Sequence, residues 1–216
     1  MIFFDIDTQV DFLEPDGALY VPEAISLHGA IGQLLGAAQT HRITTISSRC
    51  AHEPGDPEFA QFPPHCLEGT RGAERIFEAL PGLPRHEIPV DATFGAGGSG
   101  EPVEISHVEP GHHYVVRKKA FDLFSNHWLD GMRQQGAFRG ETCVVFGVAT
   151  DYCVRACVLG LVSAGAKVRV VTDAIGGVAE ESTARTIKEW EQAGITWTTT
   201  GEILAELASP DPTESR

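Results

Sequence analysis

The sequence predicts an α/β fold, with one open parallel β-sheet of about six strands and helices on both of its faces. Short runs rich in Val, Ile and aromatic residues alternate with stretches whose apolar residues recur at helical spacing. The short runs are nearly continuous in hydrophobic residues, as strands buried on both faces are. A chain of 216 residues, 42% of them hydrophobic, is sufficient for the core of one α/β domain.

The predicted elements alternate regularly along the chain. Strands are expected at residues 2–6, 43–46, 114–116, 143–148, 168–171 and 195–197. One helix is indicated by an apolar stripe from Leu27 to Ala38, and a second by a stripe from Val154 to Val162. A narrower stripe from Ala184 to Trp190 and a short terminal helix at 203–207 complete the pattern. We therefore assign residues 1–208 to one domain and 209–216 to a flexible tail.

Two irregular segments, 49–72 and 91–112, interrupt this alternation, and long irregular insertions usually carry function or are mobile. Within the second segment Gly95, Gly97 and Gly100 match the spacing of a dinucleotide-binding loop. That loop requires a helix beginning at its last glycine, whereas Pro102 and Pro110 follow here. We therefore interpret the glycine-rich segment as a flexible loop.

Charge and cysteine content exclude several classes of partner. The chain has 30 acidic and 16 basic residues, a formal charge of −14, which argues against binding nucleic acid or an anionic membrane surface. We find no apolar run of the roughly 20 residues that a membrane span needs, and no signal peptide. Five cysteines, an odd number, argue against a disulfide framework. We expect a cytoplasmic protein whose partner is a small molecule.

Reactive side chains follow several predicted strands directly. Ligands of open parallel sheets bind beyond the carboxyl ends of the strands. Asp7 follows the first strand, Lys118 follows the third, and Cys153 lies shortly after the fourth. A carboxylate, an amine and a thiol are therefore expected at the same edge of the sheet.

Cys153 is the strongest candidate nucleophile. Thr150 or Asp151 is a suitable N-cap, which would place Cys153 in the first turn of the following helix. The unpaired N–H groups and positive dipole end at that position favour a thiolate. The alternative interpretation is a small buried hydrophobic residue, which we also assign to Cys143 and Cys157.

Lys118 and Asp7 gain significance from their position beside this thiol. An ammonium close to a thiol is expected to lower the thiol pKa by ~1–3 units. A carboxylate next to a thiol can accept its proton and return it to a leaving amine. The three residues together predict a nucleophile with its base and its charge-stabilising partner.

These segments resemble the signatures of a known enzyme family. Residues 7–12, 118–124 and 147–154 are similar to three motifs of the isochorismatase-like cysteine hydrolases. Residues 17–21 and 63–70 also resemble segments of the nicotinamidase branch of that family. The resemblance extends from Ile2 to about Ala174, in the order in which the family has its motifs, and the combination is highly specific.

The resemblance implies an amidase that hydrolyses a small carboxamide such as nicotinamide. The family triad corresponds to Asp7, Lys118 and Cys153, and the thiolate attacks the carboxamide carbon to form a thioester. The backbone N–H groups of Ala149 and Cys153 correspond to the oxyanion hole, with a cis peptide joining Val148 and Ala149. Relatives of this family are often homo-oligomers, so we expect one here.

A divalent metal site is also implied. Nicotinamidases hold a metal with an Asp-x-His pair and a later His, which correspond here to Cys50, His52 and His65. Cys50 stands where the family usually has Asp, and a thiolate with two imidazoles suits zinc. Glu58 is a further candidate ligand. The alternative is that Cys50 does not bind metal and that the site is weak or empty.

The substrate pocket is expected to be apolar, with Phe12, Phe124 and Tyr152 lining it. Ala51 replaces a Trp that is common at this point in nicotinamidases, which allows a bulkier or non-aromatic amide.

The same residues bear on three other functions. A metal-independent relative would hydrolyse ureido or carbamoyl compounds. A vinyl-ether hydrolase of the isochorismatase type would not use the thiol, and its presence disfavours that reaction. A small-ligand-binding relative without turnover is disfavoured by the intact set of three residues.

Overall fold

The computed structural model describes residues 1–77, 80–94, 102–103 and 107–209. The prediction of a parallel α/β sheet is confirmed, with seven strands in the main sheet. These strands are β1 (Ile2–Ile6), β2 (Thr44–Cys50), β3 (Arg85–Ile88), β6 (His113–Lys118), β7 (Thr142–Val148), β8 (Lys167–Gly176) and β9 (Thr196–Thr198). Two further short strands, β4 (Thr93–Phe94) and β5 (Pro102–Val103), pair only with each other.

The order of the strands places β1 at the centre of the main sheet. The order is β3-β6-β2-β1-β7-β8-β9, and every neighbouring pair is parallel. The chain builds outward from β1 first on one side, through β2 and β6, and then on the other, through β7, β8 and β9. A crevice is expected at such a reversal point, beyond the carboxyl ends of the central strands.

The part of the chain that the structure describes has six α-helices, of which five lie between strands and α6 follows β9. They are α1 (Val10–Leu13), α2 (His28–Thr40), α3 (His127–Gln134), α4 (Cys153–Ser163), α5 (Glu180–Ala193) and α6 (Thr200–Ala208). None of these helices is long and apolar enough to cross a lipid bilayer. The helix α6 ends at Ala208, and residues 210–216 lie outside the described residues.

Each face of the sheet has its own apolar core. Alternate residues of β1 supply both cores, because successive side chains of a strand point to opposite faces. Phe4 and Ile6 belong to the core that includes Trp128 of α3 and Val154 of α4. Phe3 belongs to the core on the other face, with residues of α2 and α6. The sheet is therefore covered on both faces, as predicted.

The sequence prediction differs from the structure mainly at the edges and ends of elements. The strand β3 was missed because three of its four side chains are not fully buried, which gives an edge strand little apolar signal. The helix α3 was missed because polar residues interrupt the few apolar ones that it buries. The strands β2 and β6 continue past their predicted ends to Cys50 and Lys118. The glycines assigned to a flexible loop, Gly95, Gly97 and Gly100, lie outside the described residues.

Gly147 is required by the close approach of β7 and β1. Its φ is 112°, and a Cβ atom there would lie 2.1 Å from the carbonyl oxygen of Ile6. We predict that Gly147→Ala lowers the free energy of unfolding by roughly 2–4 kcal/mol, because it combines overpacking with a strained backbone. Urea denaturation measures this loss.

Gly36 provides the matched control. It lies within α2, and a Cβ atom there would contact nothing within 4 Å. Gly36→Ala should leave stability unchanged or raise it by about 0.5–1 kcal/mol, because alanine is the better helix former. Equal effects of the two substitutions would show that the strand contact at Gly147 is not tight.

Candidate active site

Four functional side chains lie where the central strands end. Asp7 directly follows β1, Cys50 is the last residue of β2, and Lys118 is the last residue of β6. Cys50 and Lys118 are register partners across the ladder. Cys153 is the first residue of α4, five residues after β7. The structure thus brings Asp7, Lys118 and Cys153 together, as the sequence predicted, and it adds Cys50.

The Lys118 ammonium is the centre of this group. It is buried, with its Nζ atom 2.8 Å from Asp7 Oδ2. The same Nζ atom lies 3.2 Å from Cys50 Sγ and 3.6 Å from Cys153 Sγ. An ammonium has three N–H donors and no acceptor, and three acceptors of the required kind surround this one. Lys118 therefore links the carboxylate to both sulfur atoms.

Asp7 is held in place by a second strand. The Ser48 hydroxyl donates to Asp7 Oδ1 at 2.5 Å and accepts from the Asp7 N–H at 3.0 Å. Burial by itself would raise the pKa of Asp7, but the charge of Lys118 and the hydrogen bonds from Lys118 and Ser48 together outweigh it and hold that pKa below its usual value. Burial would likewise lower the pKa of Lys118, and Asp7 raises it well above its usual value. Both side chains are therefore charged at neutral pH.

The pKa values of the two thiols, Cys50 and Cys153, are shifted in opposite directions. A hydrogen bond with Cys153 lowers the pKa of Cys50 to about 6, and the same hydrogen bond raises the pKa of Cys153. Burial raises the pKa of Cys153 further, while Lys118 opposes the increase. Lys118 lowers the pKa of Cys153 as expected, but Cys50 and burial outweigh it, and the sequence could not reveal a second thiol beside the first.

The turn that carries Cys153 differs in one respect from the prediction. Cys153 lies in the first turn of α4 as expected, but the N-cap residue is Tyr152, whose side chain makes no capping hydrogen bond. The side chain of Asp151 instead accepts from the N–H groups of Val178 and Ala179, at the start of the neighbouring helix α5. Thr150 Oγ1 has no hydrogen-bond partner among the described residues. Neither predicted residue caps α4.

Several backbone N–H groups of this turn have no backbone acceptor among the described residues. The expected cis peptide between Val148 and Ala149 is present. The N–H groups of Tyr152 and Val154 both donate to the Ala149 carbonyl oxygen, at 3.0 and 3.1 Å. No backbone acceptor within the described part of the chain is found for the N–H of Ala149 or of Cys153. These are the two groups that the sequence assigned to an oxyanion hole.

A second group of polar side chains lies in the loop after β2. His52, Glu58 and His65 are buried or nearly so, and their donor atoms all lie within 4.8 Å of one another. Glu58 Oε1 is 3.5 Å from His65 Nε2 and 4.0 Å from His52 Nε2. An isolated parallel β-bridge between His52 and Leu67 pairs the backbone of the two arms of this loop. These three residues could hold a divalent cation.

The hydrogen bonds of this group fit a metal site. His65 Nδ1 donates to the Pro63 carbonyl oxygen at 2.9 Å, which leaves the Nε2 lone pair free. His52 Nε2 is buried and has no hydrogen-bond partner among the residues that the structure describes. His52 Nδ1 lies 3.1 Å from Asp56 Oδ2, the kind of carboxylate that orients a ligating imidazole. Two imidazoles, a carboxylate and an open position are the donor set of a catalytic zinc site.

Cys50 is not part of this metal-binding group. Its thiol faces Lys118 and also lies 3.6 Å from Asp7 Oδ2. Its backbone is fixed by Gln9, whose side chain donates to the Cys50 carbonyl oxygen at 2.9 Å and accepts from its N–H at 2.7 Å. The prediction that Cys50 binds the metal stays a prediction.

A small cavity connects the two groups. It is lined by the polar residues Asp7, Cys50, Glu58, His65 and Cys153 and by the aromatic residues Phe12, Phe62, Phe121 and Tyr152, among others. Phe12 and Tyr152 therefore lie where the sequence expected them. Phe124 does not line this cavity and packs instead against Gly160 of α4 and Phe138 in the core, which corrects its assignment to the substrate pocket.

Sequence reasoning missed the aromatic residues that flank this cavity. Phe62, Phe121 and Tyr152 pack edge to face, with ring centroids 5.3 to 5.9 Å apart. Phe62 directly precedes the Pro-Pro-His segment, and Phe121 stands three residues after Lys118, so both lie next to motifs that had been found. Gln9 and Ser48, which hold Cys50 and Asp7, were missed because their roles depend on contacts 41 residues apart in sequence.

Comparison with known proteins agrees with this architecture. The nicotinamidase/pyrazinamidase of Mycobacterium tuberculosis is 28% identical over 199 residues, which cover 88% of this chain and 94% of that protein. The nicotinamidase of Escherichia coli is 26% identical over 219 residues, covering 88% and 91%. The crystal structure of the pyrazinamidase of Pyrococcus horikoshii in complex with zinc has a TM-score of 0.68 at 23% identity, covering 92% and 98%.

A match to a protein-family model assigns the chain to a family. The isochorismatase domain matches residues 84–202, more than half of the chain. This span includes Lys118, Ala149 and Cys153, while Asp7 and the group of His52, Glu58 and His65 precede it. The chain belongs to the isochorismatase family.

Proposed function

We propose that this chain is a cysteine amidohydrolase that converts a small nicotinamide-like carboxamide to the carboxylic acid and ammonia. The observation that carries the proposal is the contact of one buried ammonium, Lys118, with Asp7 and Cys153 beside a cavity that both of these residues line. The nicotinamidases of M. tuberculosis and E. coli, which the chain matches over 88% of its length, support this choice of substrate class.

The first step joins Cys153 to the substrate. The Cys153 sulfur attacks the carboxamide carbon, and Asp7, which contacts the same Lys118 ammonium as that thiol, accepts the thiol proton. The carbonyl oxygen of the substrate becomes an oxyanion as the carbon becomes tetrahedral. The open N–H groups of Ala149 and Cys153 stabilise it, and loss of one such donor typically costs ~3–4 kcal/mol of barrier.

The second step releases ammonia and then the acid. Asp7 returns its proton to the leaving nitrogen as the C–N bond breaks, which leaves a thioester on Cys153. A water molecule then attacks the thioester carbon, with Asp7 as the base, and the Cys153 sulfur departs. Lys118 keeps Asp7 ionised at the start of each cycle and stabilises the negative charge that passes between oxygen and sulfur.

We further propose that His52, Glu58 and His65 hold a divalent metal, with zinc as the expected ion. The Pyrococcus horikoshii pyrazinamidase of similar fold was crystallised with zinc. A bound metal supplies a coordination position for a lone pair of the substrate, such as a ring nitrogen. Because Glu58 and His65 line the same cavity as Cys153, a substrate held there would have its carboxamide directed toward the thiol.

The aromatic residues of the cavity set the class of substrate. Phe62, Phe121 and Tyr152 form an edge-to-face group beside Cys153, and Phe12 packs against the His65 ring at 5.3 Å. Such a surface suits a planar, largely apolar group of small size. We therefore expect nicotinamide and pyrazinamide to be hydrolysed faster than aliphatic amides or ureido compounds.

Ammonia release tests the proposal directly. We predict that Cys153→Ala lowers kcat/KM for nicotinamide by at least about a thousandfold, because the nucleophile is lost. Asp7→Asn should cause a loss of similar size, because amide nitrogen cannot accept the thiol proton. The measurement is the rate of ammonia release from nicotinamide, pyrazinamide, aliphatic amides and ureido compounds.

Cys157→Ala is the matched control, because Cys157 lies one turn further along α4 and is buried in the core without lining the cavity. It should keep the wild-type rate. If Cys153→Ala released ammonia as fast as the wild type, or if no amide were hydrolysed by any variant, the proposed function would be wrong. Preference for ureido compounds would instead favour a carbamoyl hydrolase.

The metal is tested by elemental analysis of the purified protein. We predict close to one equivalent of divalent metal in the wild type, and a large loss of metal in His52→Ala and His65→Ala, since each substitution removes a ligand. His41→Ala, which alters an exposed histidine at the end of α2, should retain the metal. Full activity after treatment with a chelator, with no metal bound, would contradict the metal proposal.

A further inference from the structure

Of the four functional side chains at the ends of the central strands, Cys50 is the one that the proposed reaction does not use. Its Sγ atom lies 3.2 Å from Lys118 Nζ and 3.6 Å from Asp7 Oδ2, in the same group of contacts as Cys153. A carboxylate at position 50 could make similar contacts with the ammonium, but it could not be oxidised. A thiol here therefore gives the site a chemistry that amide hydrolysis does not require.

The two sulfur atoms are neighbours. Both lie within hydrogen-bonding distance of the same Lys118 Nζ atom, at 3.2 and 3.6 Å. They come from opposite sides of β1, because Cys50 ends β2 and Cys153 follows β7.

Small molecules can reach this pair of thiols. Cys50 and Cys153 both line the cavity, whereas Cys66, Cys143 and Cys157 do not. Burial raises the pKa of each of those three thiols, which makes them poor nucleophiles. Cys50 and Cys153 differ from those three thiols in that each contacts the Lys118 ammonium, which stabilises the sulfur once its proton has left.

We propose that Cys50 and Cys153 form an oxidation site for small hydroperoxides, at which a Cys50–Cys153 disulfide forms and reversibly blocks the nucleophile. The loss of activity rests on the proposed function, because it requires Cys153 to be the nucleophile. Formation of the disulfide does not depend on that function, and it can be measured without any substrate.

The reaction proceeds in two steps. The Cys153 thiol passes its proton to Asp7 as its sulfur attacks one oxygen of the hydroperoxide, the O–O bond breaks, and the departing oxygen takes that proton to leave as water or an alcohol. The Cys50 sulfur then attacks the sulfur of the Cys153 sulfenic acid, and the S–O bond breaks. The departing hydroxide takes a proton and leaves as water. Two electrons pass from the two thiols to the hydroperoxide.

The test combines peptide mapping with activity after treatment with hydrogen peroxide. In the wild type we expect a Cys50–Cys153 disulfide in non-reducing digests, a mass loss of two hydrogen atoms, and recovery of ammonia release after a dithiol reductant is added. In Cys50→Ser we expect Cys153 to be converted to sulfinic or sulfonic acid, with no recovery, because no second thiol captures the sulfenic acid.

Cys143→Ala is the matched control, since it also leaves four cysteines but retains the pair, and it should behave as the wild type. The inference is overturned if Cys50 remains free to alkylate in the oxidised wild type, or if Cys50→Ser recovers as fully as the wild type. A disulfide in a protein that hydrolyses no amide would refute the proposed function and keep the oxidation site. Amide hydrolysis with only irreversible oxidation of Cys153 would support the proposed function and refute the oxidation site.

Discussion

The ion pair between Asp7 and Lys118 is the interaction on which the rest of the site depends. Both side chains are buried, and their atoms approach to 2.8 Å. Removal of either charge alone would leave its partner buried and uncompensated, which typically costs 3–5 kcal/mol, on the order of a third of the stability of a small domain. Such a pair is retained where its chemistry is needed, because two apolar residues would pack in its place at no greater cost.

The sheet topology explains why these two charges meet. The chain builds from β1 in both directions, so the ends of β2 and β6 lie on one side of Asp7 and the turn before α4 lies on the other. Ser48 fixes the Asp7 carboxylate, and Gln9 fixes the backbone of Cys50. The loop that follows β2 then carries Glu58 and His65 to the same cavity, with His52 beside them. One crevice therefore collects residues that are distant in sequence.

Much of this arrangement could be predicted from the sequence, because reactive residues replace apolar ones where the central strands end. The positions of Asp7, Lys118 and Cys153 follow from this change, and the helix that begins at Cys153 is predicted by its apolar stripe.

The N-cap of α4 could not be predicted, because the Asp151 side chain makes a tertiary contact with the start of α5 instead of capping its own helix. Phe124 was misplaced because periodicity does not distinguish a core aromatic residue from a pocket aromatic residue. The position of the Cys50 thiol beside Cys153 required coordinates, since no local pattern relates residues a hundred positions apart.

A double-mutant cycle on Asp7 and Lys118 tests the central claim most directly. The free energy of unfolding at neutral pH is measured for the wild type, Asp7→Asn, Lys118→Met and the double variant. The buried ion pair predicts a loss of about 3–5 kcal/mol for Lys118→Met and a loss in the double variant clearly smaller than the sum of the two single losses. Single losses below about 1 kcal/mol that add without coupling would be typical of an exposed pair and would contradict the account.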